Sequence, residues 1–386
     1  MKKPTSNFLS MLTLTAGMAV SVQGAECASW QTRHPDWIFC DDFESTAPLV
    51  GAGRYFEHDN NKGDFVVMEK AGQGGSRGMR ALWQTSEVEA GNIKLGFGRN
   101  PSPYMSKGIR PAEDFREVYY RVWVKAQEGF IGDPYKLSRA TVIAKSDWSQ
   151  AMIAHIWGDR AEHLQVDPAS CVDASGNVIC SGYNDFGHLK WIGAKAGVTK
   201  PFTGANAGKW MCIEAHVKLN DAGQSNGIQE FWIDDKLEAR REGLNFVGSY
   251  KAYGINGIYL ENHWNSGSPK VQERSLDNFV VSTKRIGCED GGQTTTPVEP
   301  PPPPTPPAPS RNWKSLPPSG SLIRQPGVIP WISAFGGARS VTGRLVIPAS
   351  GGTPAPGGTP TSSGAAPAAA AAPETALEAS SEAPIP

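Results

Sequence analysis

Past residue 22 the chain has no apolar run long enough to cross a bilayer as a helix, which excludes a helical membrane protein for its body. Among six cysteines and seven histidines there is no Cys-x-x-Cys and no His-x-x-x-His spacing. The usual zinc signatures are therefore missing. No stretch carries a sustained helical apolar period, which argues against a helix bundle or an α/β layer. There is no internal repeat, so a repeat array is excluded as well. The formal net charge is -1 over 386 residues. Charge taken as a whole recruits neither nucleic acid nor a membrane surface.

What is present begins with Met1, Lys2 and Lys3, an apolar run over residues 8–22, and small residues at Gly24 and Ala25. This pattern predicts a cleaved signal peptide over residues 1–24 and a secreted or periplasmic protein. Cys27 follows Glu26 and not a small residue, so no lipid anchor is expected. All six cysteines lie after the signal, and an even number in an exported chain predicts disulfides. Nearness in sequence favours Cys27–Cys40 and Cys171–Cys180, which leaves Cys212–Cys288 as the long-range bridge. Residues 25–290 read as one domain. Residues 291–386 turn to Pro, Gly and Ala, with nearly continuous proline over 300–307. They read as a semi-rigid linker and low-complexity tail. An island with Ile323, Trp331 and Phe335 is too small to form a core alone.

The body reads as roughly a dozen short strands with polar turns, an all-β sandwich or barrel. Residues 116–126 alternate most cleanly. Tyr119, Arg121, Trp123 and Lys125 take one face, and Tyr120, Val122, Val124 and Ala126 take the other. The functional reading rests on residues 254–265. Gly254 and Gly257 open this stretch; then Tyr259, Glu261 and His263 share a face opposite Ile258, Leu260 and Asn262. A phenol, a carboxylate and an imidazole in a row are costly to bury and useful in a cleft. Residues 151–158, with His155, and 210–220, with Glu214, His216 and Lys218, show the same habit. These three segments are expected to line one concave face. Lys94, Arg99, Lys107, Arg110, Lys136, Arg139, Lys145, Lys190, Lys195 and Lys200 crowd the middle of the chain. They form either a solvated surface or a field that attracts an anionic polymer.

Three motifs carry a resemblance: Cys40-Asp-Asp-Phe-Glu44, Phe231-Trp-Ile-Asp-Asp235 and Leu276-Asp-Asn-Phe-Val-Val-Ser-Thr283. With the alternating strands, they resemble the concanavalin A-like lectin/glucanase jelly roll over residues 36–288. Within it, the chain is most similar to polysaccharide lyases of the heparin lyase I and alginate lyase kind. Their Lys-x-Gly-x-Tyr-x-Gln strand lines up with residues 255–261. Gly257 and Tyr259 are kept, while Ile255 and Glu261 replace the lysine and the glutamine. His155-Ile156-Trp157 stands where the family has Gln-Ile-His. The Glu-x-Asp-x-x-Glu strand of the glucanase branch is absent, which disfavours hydrolysis by paired carboxylates.

The resemblance implies a jelly-roll β-sandwich that cleaves a uronic-acid polysaccharide by β-elimination. That reaction needs a cation or amide on the C5 carboxylate, a base for the C5 proton and an acid for the leaving oxygen. It requires no cofactor. A tyrosine can be both base and acid when a cation lowers its pKa, and Tyr259 is the candidate. His155 is a candidate base or carboxylate partner. Arg139, Lys145 and Arg99 are candidates for carboxylate recognition, since a guanidinium pairs a carboxylate with two bonds. Trp157, Glu214, His216, Lys218, Glu261, His263 and Trp264 are further candidates for substrate contact, and Trp123 and Trp191 could also stack on sugars. Asp42, Glu44 and Asp277, with Asp41 and Asn278, are the candidate ligands of a structural Ca²⁺. A monomer acting on an anionic polysaccharide is expected. Two alternatives stay open. One is a non-catalytic, lectin-like binding module. The other is a structural or attachment protein in which the tail matters more than the sandwich.

Overall fold

The computed structural model describes residues 26–132 and 136–288. The expected signal segment and the expected tail lie outside the described residues. Sixteen strands are found among the described residues. They are β1 (Trp37–Asp41), β2 (Glu57–Asp59), β3 (Phe65–Met68), β4 (Gly78–Trp83), β5 (Glu89–Gly96), β6 (Glu117–Ala126), β7 (Lys136–Ile143), β8 (Gln150–Gly158), β9 (Leu164–Ser170), β10 (Lys190–Trp191), β11 (Lys195–Ala196), β12 (Met211–Lys218), β13 (Gly227–Ile233), β14 (Lys236–Leu244), β15 (Gly257–His263) and β16 (Gln272–Ser282). One sheet runs β14-β13-β12-β6-β16-β4-β3, with β1 also paired to β16. The other runs β10-β9-β8-β7-β15-β5-β2, with β11 also paired to β9. This is an antiparallel jelly-roll sandwich.

Alternation explains the layers. In β6, Val118, Tyr120, Val122, Val124 and Ala126 enter the core, as the sequence pattern implies. Ile213, Ala215 and Val217 of β12 join them from the same sheet. Ile93 and Leu95 of β5, Ala140 and Val142 of β7, and Ile258 and Leu260 of β15 meet them from the other. Each Val, Leu or Ile buried there contributes about 1.5–3 kcal/mol. A one-residue slip would turn all of them outward, so the register is fixed.

The three expected disulfides form: Cys27–Cys40, Cys171–Cys180 and Cys212–Cys288, with Cα separations of 5.5, 5.6 and 5.8 Å. Between Cys171 and Cys180 the chain makes the expected tight tip. There Asp173 Oδ1 accepts the amides of Ser175 at 2.9 Å and Asn177 at 2.8 Å. No helix among the described residues is long and apolar enough to cross a membrane.

One expectation is corrected by the sheet order. β8 and β15 share a sheet, but β12 belongs to the other one. The segments carrying His155, Tyr259 and His216 therefore do not line one face.

Candidate functional site

The outer face of the second sheet carries a line of polar residues. Register places Glu57 opposite Lys94, Lys94 opposite Tyr259, Tyr259 opposite Arg139, Arg139 opposite His155, and His155 opposite Asp167. Directly opposed residues share a face. The six therefore form one row across β2, β5, β15, β7, β8 and β9. Strands lie about 4.8 Å apart, so Tyr259 and His155 sit roughly 10 Å apart with Arg139 between them.

Arg139 is the hub. It is fully buried and ion-paired to Glu261. Its Nη1 donates to Asn184 Oδ1 at 2.6 Å and its Nη2 to Tyr183 Oη at 2.7 Å. Its guanidinium lies 5.0 Å from the ring of Tyr183 and 5.6 Å from that of Tyr259. On the other side Lys94 pairs with Glu57. Its ammonium lies 4.8 Å from Tyr183, 5.3 Å from Trp148 and 5.9 Å from Tyr259. The Tyr259 phenol is thus flanked by two cations. Gly257 makes room for it. A Cβ there would lie 3.1 Å from the Tyr259 ring and 3.2 Å from its hydroxyl.

Burial drives the protonation states. It pushes the Tyr259 phenol well above its ordinary range, with Tyr183 adding to the rise and Arg139 opposing it. It pushes His155 well below its ordinary range, reinforced by Arg139 and Lys136, so the imidazole is neutral. Burial alone would raise Glu261, but Arg139 and Lys136 hold its carboxylate below the usual range. Several buried atoms here have no hydrogen-bond partner among the described residues: the Tyr259 hydroxyl, both ring nitrogens of His155, Glu261 Oε2 and Arg139 Nε. Each such atom costs about 1–3 kcal/mol. A cluster of them is uncommon in a purely structural core.

Asp167 closes the row, and burial pushes its carboxyl up to about 7 against a hydrogen bond from Trp157. The unfolded value is about 3.9, so between those pH values the folded state binds more protons and stability falls as pH rises. Thermal melts of wild type and Asp167→Asn across pH 4–8 test this. The variant is expected to gain about 2–4 °C at pH 8 and nothing at pH 4. Parallel curves would contradict it.

The row is covered, not open as the sequence reading implied. Tyr259, Arg139 and His155 have no solvent exposure. Trp148, Phe56, Met105 and Tyr183 pack around Tyr259. Residues 181–189 lie over the sheet, seated by a small cluster of Cys171, Cys180, Leu189, Ile153 and Ala169, and the chain then joins the sheet edge as β10.

The remaining candidates disperse. Lys145 is exposed in the turn between β7 and β8. Arg99 is half exposed and paired to Asp114. Glu214, His216 and Lys218 are on the other sheet. There His216 bridges Glu230 at 2.7 Å and Glu117 at 2.8 Å, while Glu214 accepts the amides of Ile286 and Gly287. His263 pairs with Glu89 at the end of β15. Trp264 is core, stacked on Phe130 and edge-on to Trp83. Trp157 stacks on His155 at 4.1 Å. Glu57, Lys94, Trp148, Asp167, Tyr183 and Asn184 were not assigned to the site from sequence. Lys94 could have been, since it alternates with Ile93 and Leu95 in β5. Tyr183 could not, because its loop has no period.

At the first and last strands, Asp41 is paired to Arg54 at 2.6 Å and caps Phe43, so it is committed to structure. Asp277 is pushed up to about 7, first by burial and further by Glu44 and Asp42, against backbone hydrogen bonds that lower it. Its Oδ2 accepts the Gln73 amide at 2.8 Å. A Cβ added at Gly72 would collide with Arg77 O, Ser76 Oγ and Asp277 Oδ2, so only glycine fits there. Among the described residues no three His, Cys, Asp or Glu side chains are close enough to hold a metal by themselves. Ser76 Oγ donates to Asp277 Oδ2 at 3.4 Å, Glu44 Oε1 accepts the Arg77 amide at 2.9 Å, and Asp42 Oδ1 accepts the Glu44 amide at 3.3 Å.

No protein-family model and no curated relative matches the chain. Solved structures do. Endo-β-1,4-glucuronan lyase from the fungus Trichoderma reesei is 12% identical, with a TM-score of 0.43 over 64% of this chain and 96% of that one. The alginate lyase from Aplysia kurodai is 9% identical, with a TM-score of 0.44 over 64% and 99%. The cellulose-induced protein Cip1 is 15% identical, with a TM-score of 0.35 over 65% and 100%. The solved structures similar to this chain thus include polysaccharide lyases.

Proposed function

We propose that this protein is a secreted lyase that cleaves a uronic-acid polysaccharide by β-elimination. The observation that supports it best is the Tyr259 hydroxyl, buried without a partner between Arg139 and Lys94, in line with a neutral, unpartnered His155. In this reading the substrate carboxylate takes the two guanidinium donors now held by Tyr183 and Asn184. Charge neutralisation acidifies the C5 proton. Tyr259 as phenolate, or His155, removes it; the C4–O bond breaks as the C4=C5 double bond forms. The leaving oxygen takes a proton from the Tyr259 phenol, and no water is consumed. The chemistry requires Tyr183, Asn184 and Trp148 to move aside. While they stay in place the raised pKa of Tyr259 keeps it protonated and idle.

The test is the ultraviolet absorbance of unsaturated uronide product on alginate, glucuronan, heparin-type and pectic polymers. A rise on one of them supports the reading and names the substrate. Binding without a rise moves the protein to the lectin-like class. Neither binding nor cleavage would leave the structural reading.

The reading also includes a structural Ca²⁺ where the first and last strands meet, with Asp42, Glu44 and Asp277 as its candidate ligands. Saturating Ca²⁺ is expected to raise Tm by about 5–10 °C, reversed by chelator and lost in Asp277→Asn. An unchanged melt at millimolar Ca²⁺ would rule the site out.

A further inference from the structure

Two large aromatic rings at this edge of the sheet face water, Phe186 on the covering segment and Trp191 on β10. Trp191 is 43% exposed and Phe186 37% exposed. Their rings lie parallel, 10° apart, with centroids separated by 6.4 Å. Behind them Trp191 leans on Trp157 at 5.4 Å and on His155 at 5.6 Å. A continuous run of rings therefore leads from solvent to His155, beside Arg139. Cations flank the run. Lys136 Nζ lies 6.0 Å from the Phe186 ring, and Arg241 donates to Ile192 O at 3.2 Å, next to Trp191. The nearby Asp185 is occupied by His188 and the Ser181 amide.

Flat, exposed aromatic faces suit the C–H faces of pyranose rings, and neighbouring cations suit rings that carry carboxylates. An isolated exposed tryptophan would need no explanation. A parallel pair continuous with the polar row does. We infer that Phe186 and Trp191 form a sugar-stacking subsite for a uronate residue of the polymer, adjoining the row of Tyr259, Arg139 and His155. This rests on the uronate-polymer reading above and assigns the two rings a part in it. Phe186 belongs to the segment that covers Tyr259, and Trp191 to the edge strand β10 that directly follows it. A polymer held there is in contact with the same stretch that carries Tyr183 and Asn184.

The full chain is tested by affinity electrophoresis through gels carrying alginate, glucuronan, heparin or polygalacturonate, which reads binding without turnover. Wild type is expected to be retarded by at least one polymer. Trp191→Ala should weaken the apparent Kd about tenfold and Phe186→Ala about threefold, while Trp191→Tyr, which keeps a stacking face, should stay within about threefold of wild type. On a cleaved polymer Trp191→Ala should raise KM by about tenfold, with kcat within about threefold. If wild type and Trp191→Ala are retarded equally, the subsite is refuted and the uronate reading stands. If no polymer retards wild type, both fall. A Trp191→Ala protein that no longer melts cooperatively shifts the decision to Phe186→Ala and Trp191→Tyr, for which equal retardation and lost retardation, respectively, are the refuting results.

Discussion

Tyr259→Phe is expected to abolish uronide production while leaving the fold at least as stable as wild type. The two effects separate because of where the hydroxyl sits. It is fully buried and makes no hydrogen bond, so deleting it removes an uncompensated polar atom from the interior. Leaving such a group unpaired costs about 1–3 kcal/mol, so its loss should be neutral or mildly stabilising. The ring stays packed edge-on to Phe56 at 6.0 Å, so no cavity opens. Catalysis is the opposite case. A group that serves as both base and acid typically contributes about 10²–10⁴-fold, and here a loss near the upper end is expected. Product absorbance and a thermal melt on the same preparation check both halves. Full activity in the variant would transfer the proton chemistry to His155. A clear drop in Tm would mean that the hydroxyl is structural.

The second large effect is on stability. Arg139→Met should destabilise the domain by about 3–5 kcal/mol, lowering Tm by about 10 °C or more. Arg139 and Glu261 are both buried and paired, and Lys136 adds a weaker attraction to the carboxylate. Without the guanidinium, Glu261 is left as an uncompensated charge, and Tyr183 and Asn184 lose the donor that holds them. The double variant Arg139→Met/Glu261→Leu removes both charges. It should recover most of the lost stability, because an apolar pair of similar volume is often as good as a buried ion pair. Activity should not return, since nothing then meets the substrate carboxylate. Chemical denaturation of the three proteins distinguishes the outcomes. A single variant as stable as wild type would show that Glu261 is protonated or otherwise neutralised in the native state.

Much of this was legible along the chain, for a physical reason. A strand's faces are a local property, so alternation alone placed Tyr259 and Glu261 of β15 outward and Ile258 and Leu260 inward. The same reasoning fits His155 between Ala154 and Ile156. The disulfides followed from count and spacing. Adjacency was a different matter. That β15 lies between β5 and β7, which aligns Lys94, Tyr259 and Arg139, is a pairing of segments more than a hundred residues apart in the chain. Nothing in the period of β12 says that it joins the other sheet, where His216 pairs with two carboxylates and faces away from Tyr259. Trp264 reads like a sugar platform in sequence and is a core ring in space.

The sequence by itself therefore determined the all-β class, the three bridges, and which side chains of each strand turn away from the core, because these follow from backbone period and composition. Only the tertiary structure decided which strands are neighbours, that Lys94 stands opposite Tyr259, and that Trp148, Tyr183 and Asn184 close over the row. Strand pairing and loop docking are fixed by apolar burial and hydrogen bonds between distant segments, and no local pattern carries that information.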